Sequence, residues 1–385
     1  MEELWEAEEK GNWSMEGLCL ASVAREDPAV VWLSNVLLVP IIAAAGLACN
    51  TLNIIVLWAN RGRLASAGYL LGISAADSLF LLFGLAEVTP PHIPALATSP
   101  AFNALYSTAV LPLRTVAAAA YKTSVLLVIA FNVERYISVC FPLRYPRWCG
   151  RAGLGGSVLA GSAALGLLLS LQWPLAHEVR PCRDLLTGDT FYRILLKENS
   201  FLHTYYKAMD YANMVGFNLL PVLLLLCLNT AIVGTLRRIV RVDQGKAKAA
   251  TWSKGQQGGT GRRAYSAQAV LFAVVGLFLA CLGPQVPARV LFELYGPHSP
   301  LVLAYVSGSQ CLLFLNASLN FCLYCLVSRR YRCLMRRTLK GLCGLGQQEL
   351  HQSPETGVWL GKRLRRCLAS VEETEALSLA PFTQP

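Results

Sequence analysis

Seven blocks of apolar residues, each more than 20 residues long, run through this chain. A block of that length crosses about 30 Å of hydrocarbon as a helix. Inside hydrocarbon a lone segment must satisfy its own amides, which an α-helix does and an open strand does not. The blocks lie at 31–58, 66–89, 105–140, 152–175, 208–236, 266–294 and 300–327, the Gly- and Ala-rich fourth having the least sharp ends. Only 15% of the 385 residues are charged, against about 25% in soluble domains. The expectation is an all-α membrane protein built as a seven-transmembrane helix bundle. Residues 1–30 then form an outer tail, 31–327 the bundle, 328–343 a cytoplasmic amphipathic helix and 344–385 an unstructured inner tail. No internal repeat is visible.

The net charge of +11 would suit nucleic acid, but its distribution argues for a membrane. Residues 1–30 carry eight acids against Lys10 and Arg25. Bases gather at Arg61/Arg63, Arg144/Arg147/Arg151, Arg237 to Arg263 and Arg329 to Lys340, all at span ends that seven crossings place on one side. That is the positive-inside pattern, with the N-terminus outside, the C-terminus inside and anionic lipid headgroups as partners. The expected address is the plasma membrane. The first residues lack a basic-then-apolar-then-small pattern, so the first helix is expected to serve as the insertion signal. Asn12-Trp13-Ser14 is a glycosylation sequon on the outer tail. Of the thirteen cysteines only Cys19 and Cys182 fall on the oxidising side, so a disulfide between them is expected.

Ionisable and amide groups inside the apolar blocks carry the functional argument, because placing them there costs free energy. Glu134-Arg135-Tyr136 closes the third block. Asn50 lies in the first, Asp77 at mid-depth in the second, and Asn320-Phe321-Cys322-Leu323-Tyr324 ends the seventh. Pro221 interrupts a leucine run in the fifth, and Cys281-Leu282-Gly283-Pro284 sits in the sixth. A mid-helix proline removes a backbone bond and kinks the helix. After the seventh block, Tyr331, Leu334, Met335, Leu339 and Leu342 recur at helical spacing between bases. This pattern describes an amphipathic helix on the inner leaflet, with Cys333 and Cys343 beside it as palmitoylation candidates. No HExxH, GxSxG, P-loop or CxxC pattern occurs, so nothing reads as catalytic and no enzyme is expected.

The seven blocks with Glu134-Arg135-Tyr136 and Asn320-x-x-x-Tyr324 resemble the rhodopsin-like G-protein-coupled receptors over residues 30–343. Finer features, including Phe321 in place of the seventh-helix proline and Val110 in place of the third-helix disulfide cysteine 25 residues before Arg135, are similar to the group responding to tryptophan and phenylalanine, near the FMRFamide peptide receptors. The resemblance implies a receptor that turns ligand binding into activation of a heterotrimeric G protein, Gq by analogy, with arrestin as a further partner. It assigns coupling and activation to Glu134, Arg135, Tyr136, Pro221, Pro284, Asn320 and Tyr324. It also implies no cofactor beyond an allosteric sodium ion, held by Asp77, Ser124, Asn316 and Asn320, whose hard oxygens suit such a cation. Glu134 is expected to hold Arg135 at rest. The acid that many receptors place at the base of the sixth helix is replaced by Arg262, Arg263, Ala264 and Tyr265. A weak resting lock and measurable basal signalling follow. Leu282 replaces the family's aromatic switch residue, and Asn229 stands where the family often has tyrosine.

For the ligand, Arg114, Ala117, Ala118, Tyr121 and Val125 share one face of the third helix. Lys122 sits on its shoulder, and Glu87, Gln285 and Arg289 fall at comparable depth. Three bases and one acid describe a positive outer cavity with alanine-lined room. Buried charges need partners. Glu87 pairs with Arg114 while Lys122 snorkels or neutralises, or one or more of the bases meet an acidic group on a small aromatic or carboxylate-bearing ligand or a short peptide. A receptor-like protein that no longer couples is a second reading. A transporter is a third, disfavoured by the absence of paired broken helices.

Overall fold

The computed structural model describes residues 29–61, 67–149, 153–183, 190–249, 276–296, 299–327 and 329–342. Among the described residues, seven helices are long and apolar enough to cross a membrane. We label them α1 Ala29–Ala59, α2 Ala67–Val88, α3 Pro100–Cys140, α4 Leu154–Leu168, α5 Ser200–Ile239, α6 Gly276–Tyr295 and α7 Pro300–Val327. An eighth helix, α8 Arg329–Leu342, follows α7. Between α4 and α5, β1 His177–Arg183 and β2 Thr190–Leu196 form an antiparallel hairpin.

Local chemistry sets several boundaries. Ser99 caps α3, its hydroxyl accepting from Phe102 N–H, and Pro100 supplies the first helical residue without wasting a donor. Asn199 caps α5 by accepting from the N–H groups of Phe201 and Leu202, so α5 starts eight residues before its apolar block. Gly296, at φ 68°, ends α6 in the left-handed region that glycine enters freely.

Helix also runs beyond the apolar block of α5, continuing through the basic stretch from Arg237 to Ala249. Lys, Ala, Arg and Gln are good helix formers, and extending an existing helix avoids the cost of nucleation. The sixth span, expected from residue 266, is described only from Gly276.

The interior is layered. Phe80, Leu81, Ala117, Ala120, Cys311 and Phe314 join α2, α3 and α7 in one buried cluster. Ile73, Leu127, Val128, Val222, Leu225, Phe278 and Leu282 join α2, α3, α5 and α6 in another. The α3–α4 seam depends on Gly166, where an added Cβ would lie 2.7 Å from Ala119 O and 2.8 Å from Thr123 Oγ1. A backbone oxygen cannot swing away, so α4 would have to retreat. Gly166→Ala is therefore expected to lower the melting temperature of purified protein by several degrees. Gly161→Ala, with open space around it, should be neutral or slightly stabilising.

α8 differs in role from the expectation. Tyr331 and Leu334 were read as part of a lipid-facing stripe, but they are buried against Val56 and Leu57 of α1. Tyr331 Oη donates to Asn53 Oδ1 at 2.5 Å, and Asn60 Nδ2 donates to Thr338 Oγ1 at 3.0 Å. Helical periodicity marks an apolar face without saying whether protein or lipid covers it.

Candidate functional site

At mid-bundle Asp77 joins three helices. Ser124 Oγ of α3 donates to Asp77 Oδ1 at 2.6 Å, and Asn320 Nδ2 of α7 donates to Asp77 Oδ2 at 2.5 Å. All three residues are buried. Asn53 Nδ2 donates to Ser74 Oγ at 2.5 Å, and Asn50 Nδ2 to Ala317 O at 3.0 Å, tying α1 to α2 and α7. The side-chain oxygens of Asn50 and Asn316 are buried with no hydrogen-bond partner among the described residues. Asn316 lies one turn from Asn320, so spare oxygen capacity stands beside a carboxylate, a donor set that fits a hard monovalent cation.

Towards the hairpin end, the bases expected to make a positive cavity are matched. Arg114 Nε lies 2.6 Å from Glu87 Oε1, and its guanidinium stacks 4.8 Å above the Trp173 ring. Arg289 Nη2 lies 2.5 Å from Asp210 Oδ2. Lys122 neither snorkels nor faces open space: it is 4% exposed, and its ammonium donates to Ser170 Oγ at 2.8 Å and to Leu169 O at 3.4 Å. These groups end α4, where unsatisfied carbonyls favour a cation. Lys122 thus caps α4, an arrangement the sequence did not suggest. Asp210 lies at the very start of the apolar block assigned to the fifth span and was not counted among its ionisable groups; an acid at the outer end of that block was the available signal.

The prolines have direct consequences. Pro221 has no N–H to offer Phe217 O, four residues earlier. Tyr121 Oη donates to that carbonyl at 3.2 Å and to Asn218 Oδ1 at 2.7 Å. The backbone over Val215–Leu219 forms a π-helical turn, a feature frequent at functional sites. In α6 the helix is interrupted at Gly283-Pro284 and restarts at Gln285. Gln285 Nε2 donates to Ser309 O of α7. Beside this contact a cavity of about 330 Å³ is lined by Gln285, Ala288, Arg289, Phe292, Ser309 and Gln310, among others. Ala117 is buried and Ala118 half-buried on the α3 face.

At the opposite end Arg135 is exposed, its guanidinium 5.1 Å from the Phe131 ring. Glu134 is buried and accepts from Tyr145 Oη at 2.9 Å. Its Oε2 has no hydrogen-bond partner among the described residues. Burial, then the Glu134 carboxylate, pushes the Tyr145 phenol up to about 12, so it remains a donor at every physiological pH. Tyr145 was not singled out from sequence. Tyr145→Phe leaves Oε1 of the buried Glu134 without this donor, a cost of about 1–3 kcal/mol, so the melting temperature of purified protein should fall by several degrees; an unchanged melting temperature would show that the bond does not help hold this loop to α3. Tyr136 packs edge-on against Phe141 at 5.7 Å. Tyr324 lies on α7, its side chain outside the described residues. Asn229 is buried, with neither side-chain atom partnered among the described residues.

Of the remaining sites, Cys182 is disulfide-bonded, while Cys19 and Asn12 lie outside the described residues. Cys333, half-buried on α8, is not disulfide-bonded, and Cys343 is again outside. So are Arg262, Arg263, Ala264 and Tyr265.

A family model described as "7 transmembrane receptor (rhodopsin family)" matches residues 49–324. Curated relatives include a "probable G-protein coupled receptor" of Caenorhabditis elegans, 24% identical over 298 residues, which are 76% of this chain and 66% of that protein. Neuromedin-U receptor 1 of Mus musculus is 29% identical over 304 residues, 74% of this chain and 66% of the relative. Galanin receptor type 3 of Homo sapiens is 32% identical over 133 residues, 34% of this chain and 33% of the relative. The chain therefore spans just under two thirds of the length of the first two.

Proposed function

The chain belongs to the rhodopsin family of seven-transmembrane receptors, and on that premise we propose that it is a ligand-controlled activator of heterotrimeric G proteins at the plasma membrane. Its N-terminus is outside and its C-terminus inside. The observation that carries this reading is the α3 terminus: an exposed Arg135 beside a buried Glu134 that is held by Tyr145. A cation exposed on an inner helix end can be reached by a partner protein, and its acidic neighbour accepts from Tyr145 of the following loop.

The ligand binds among the outer halves of α2, α3, α5, α6 and α7, where Glu87–Arg114 and Asp210–Arg289 line the approach. A small aromatic or carboxylate-bearing molecule, or a short peptide, can exchange one of these ion pairs for its own and so favour one arrangement of α5 and α6. The similarity to the tryptophan- and phenylalanine-responsive group supports the first class. The names of the neuromedin-U and galanin receptors mark relatives with other ligands. The interruption at Gly283-Pro284 lets the inner part of α6 swing, opening a crevice where Arg135 meets the partner, with Tyr324 and Asn320 rearranging on α7. A ligand moves this equilibrium only by its differential affinity for the two states. Asp77, Ser124, Asn316 and Asn320 would hold a sodium ion, which supplies positive charge to a buried carboxylate. Gq and arrestin are the proposed partners, with Cys333 as a lipidation site.

The test is a G-protein dissociation panel in cells expressing the full chain. It is run without ligand, then with aromatic amino acids, FMRFamide-like peptides and small carboxylates. Ligand-dependent dissociation of any G protein supports the reading. Silence across every G protein from surface-exposed receptor would favour a non-coupling receptor-like partner protein.

A further inference from the structure

The hairpin ends of α5 and α6 are joined by two neighbouring contacts. Arg289 Nη2 lies 2.5 Å from Asp210 Oδ2, and at the next position of α5 Tyr211 Oη donates to Glu293, one turn beyond Arg289 on α6. Two acids therefore attend one base. Asp210 is the less exposed partner of the ion pair, its side chain 18% exposed against 35% for Arg289. An anion arriving at Arg289 would displace Asp210 and leave that carboxylate unpaired in a poorly hydrated place, near a second acid. Arg289 is thus closed to a further carboxylate, yet its guanidinium is not fully spent. Its Nε is a buried donor with no hydrogen-bond partner among the described residues. Such a group calls for an acceptor oxygen without calling for charge.

The second observation is the lining of the cavity that Arg289 borders. At about 330 Å³ it is at the small end of ligand pockets, with room for a group the size of one residue. Its walls come from α6 and α7. Phe292, Val306 and Leu313 make them apolar, while Gln285 and Gln310 contribute primary amides. Gln285 donates its Nε2 to Ser309 O, which leaves its side-chain carbonyl as an acceptor. Arg289 is the one charged residue among the described residues of this lining, and Asp210 already balances it. Donors, acceptors and apolar walls without uncompensated charge suit an uncharged polar group on an apolar body. A carboxamide has both donors and an acceptor, so it has a use for the glutamines as well as for the arginine.

We propose that the α6–α7 cavity takes a neutral, carboxamide-bearing group on an apolar body, and that Asp210 sets this specificity: by holding Arg289 it turns carboxylates away. The proposal rests on the reading of the outer half of the bundle as the ligand site and narrows the chemistry of that site. Exchange of an ion pair by a ligand carboxylate is thereby left to Glu87–Arg114. The test uses no G protein. A silent G-protein panel beside the rate ratio expected below would count against the receptor reading alone, and an active panel beside a ratio of about one would count against this proposal alone.

Val306→Cys places a reporter thiol, at a half-buried position, in the cavity wall. Two reagents with one reacting group are timed against it on the full-length receptor, with the receptor lacking the reporter as background. One is 2-carboxyethyl methanethiosulfonate, an anion at neutral pH; the other is its carboxamide counterpart. The ratio of carboxamide to carboxylate rates, divided by the same ratio for a free thiol in solution, reads the charge that the cavity presents. It should be on the order of tenfold, the smallest enrichment expected of a charged cleft. Adding Asp210→Asn frees Arg289 and should bring the ratio to about one or below. Adding Arg289→Gln removes the base and should keep the carboxamide preference, which tests the proposal if Asp210→Asn fails to reach the surface. A ratio of about one or less with Val306→Cys alone would overturn the proposal. So would a ratio left unchanged by Asp210→Asn, or a preference lost in Arg289→Gln. No modification of the reporter by either reagent would overturn the cavity as a binding site.

Discussion

Arg135→Ala is expected to lower G-protein turnover, both basal and ligand-driven, by about tenfold or more while leaving surface level unchanged. Arg135 is exposed, and its guanidinium leans on Phe131 at the end of α3, so its removal leaves no hole in the core. On the coupling proposed above, the loss is one charge-assisted hydrogen bond to the partner, about 1.5–3 kcal/mol, which corresponds to roughly 10- to 150-fold in complex formation. Arg135→Lys should recover only part of this, because an ammonium cannot reproduce the planar fork of a guanidinium. Initial rates of nucleotide exchange with purified receptor and G protein would measure it. Exchange within twofold of the parent would remove Arg135 from the coupling surface.

Asp77→Ala is expected to damage both fold and signalling. The carboxylate accepts from Ser124 and Asn320, and deleting it strands two buried donors on two different helices. Each stranded group costs about 1–3 kcal/mol. At roughly 2–4 °C per kcal/mol for a chain of this order of size, the melting temperature should fall by several degrees or more. Asp77→Asn keeps an acceptor for Ser124, and should melt between the two. If sodium binds here, the dependence of the parent's melting temperature on sodium concentration should vanish in both variants. A melting temperature unchanged in Asp77→Ala would show that the three-helix junction is not what joins α2, α3 and α7.

Much of the architecture was legible because the bilayer simplifies the problem. Apolar length alone located the seven spans, and bases at alternate span ends set the expected sidedness. Pro284 marked the interruption of α6 for a local reason, the missing N–H, which needs no knowledge of neighbours. Asp77, Ser124 and Asn320 were grouped from sequence by family resemblance, and the structure brings them within hydrogen-bond distance. The charged outer residues were harder. Arg114 and Arg289 were visible as bases in an apolar setting, but a positive cavity was inferred only because Asp210 went uncounted. Sequence places a charge at a depth; the rotation of its helix decides which charge it meets.

The outer hairpin and α8 teach the same lesson in different ways. Neither the β1–β2 pairing nor the hydrogen bonds between Asn103 and Tyr192 have a sequence signature: the second join residues 89 positions apart, and the first turns on where Pro181 falls in the register. The periodicity of Tyr331 and Leu334 was clear, yet the same stripe serves for lipid or for Val56 and Leu57. By itself the sequence determined what the membrane enforces residue by residue: span number, span length and the proline breaks. Only the tertiary structure decided the partnerships, pairing Arg289 with Asp210, Glu134 with Tyr145 and Lys122 with the end of α4. Those pairings depend on the azimuth and depth of two helices at once, and no single segment of chain encodes both.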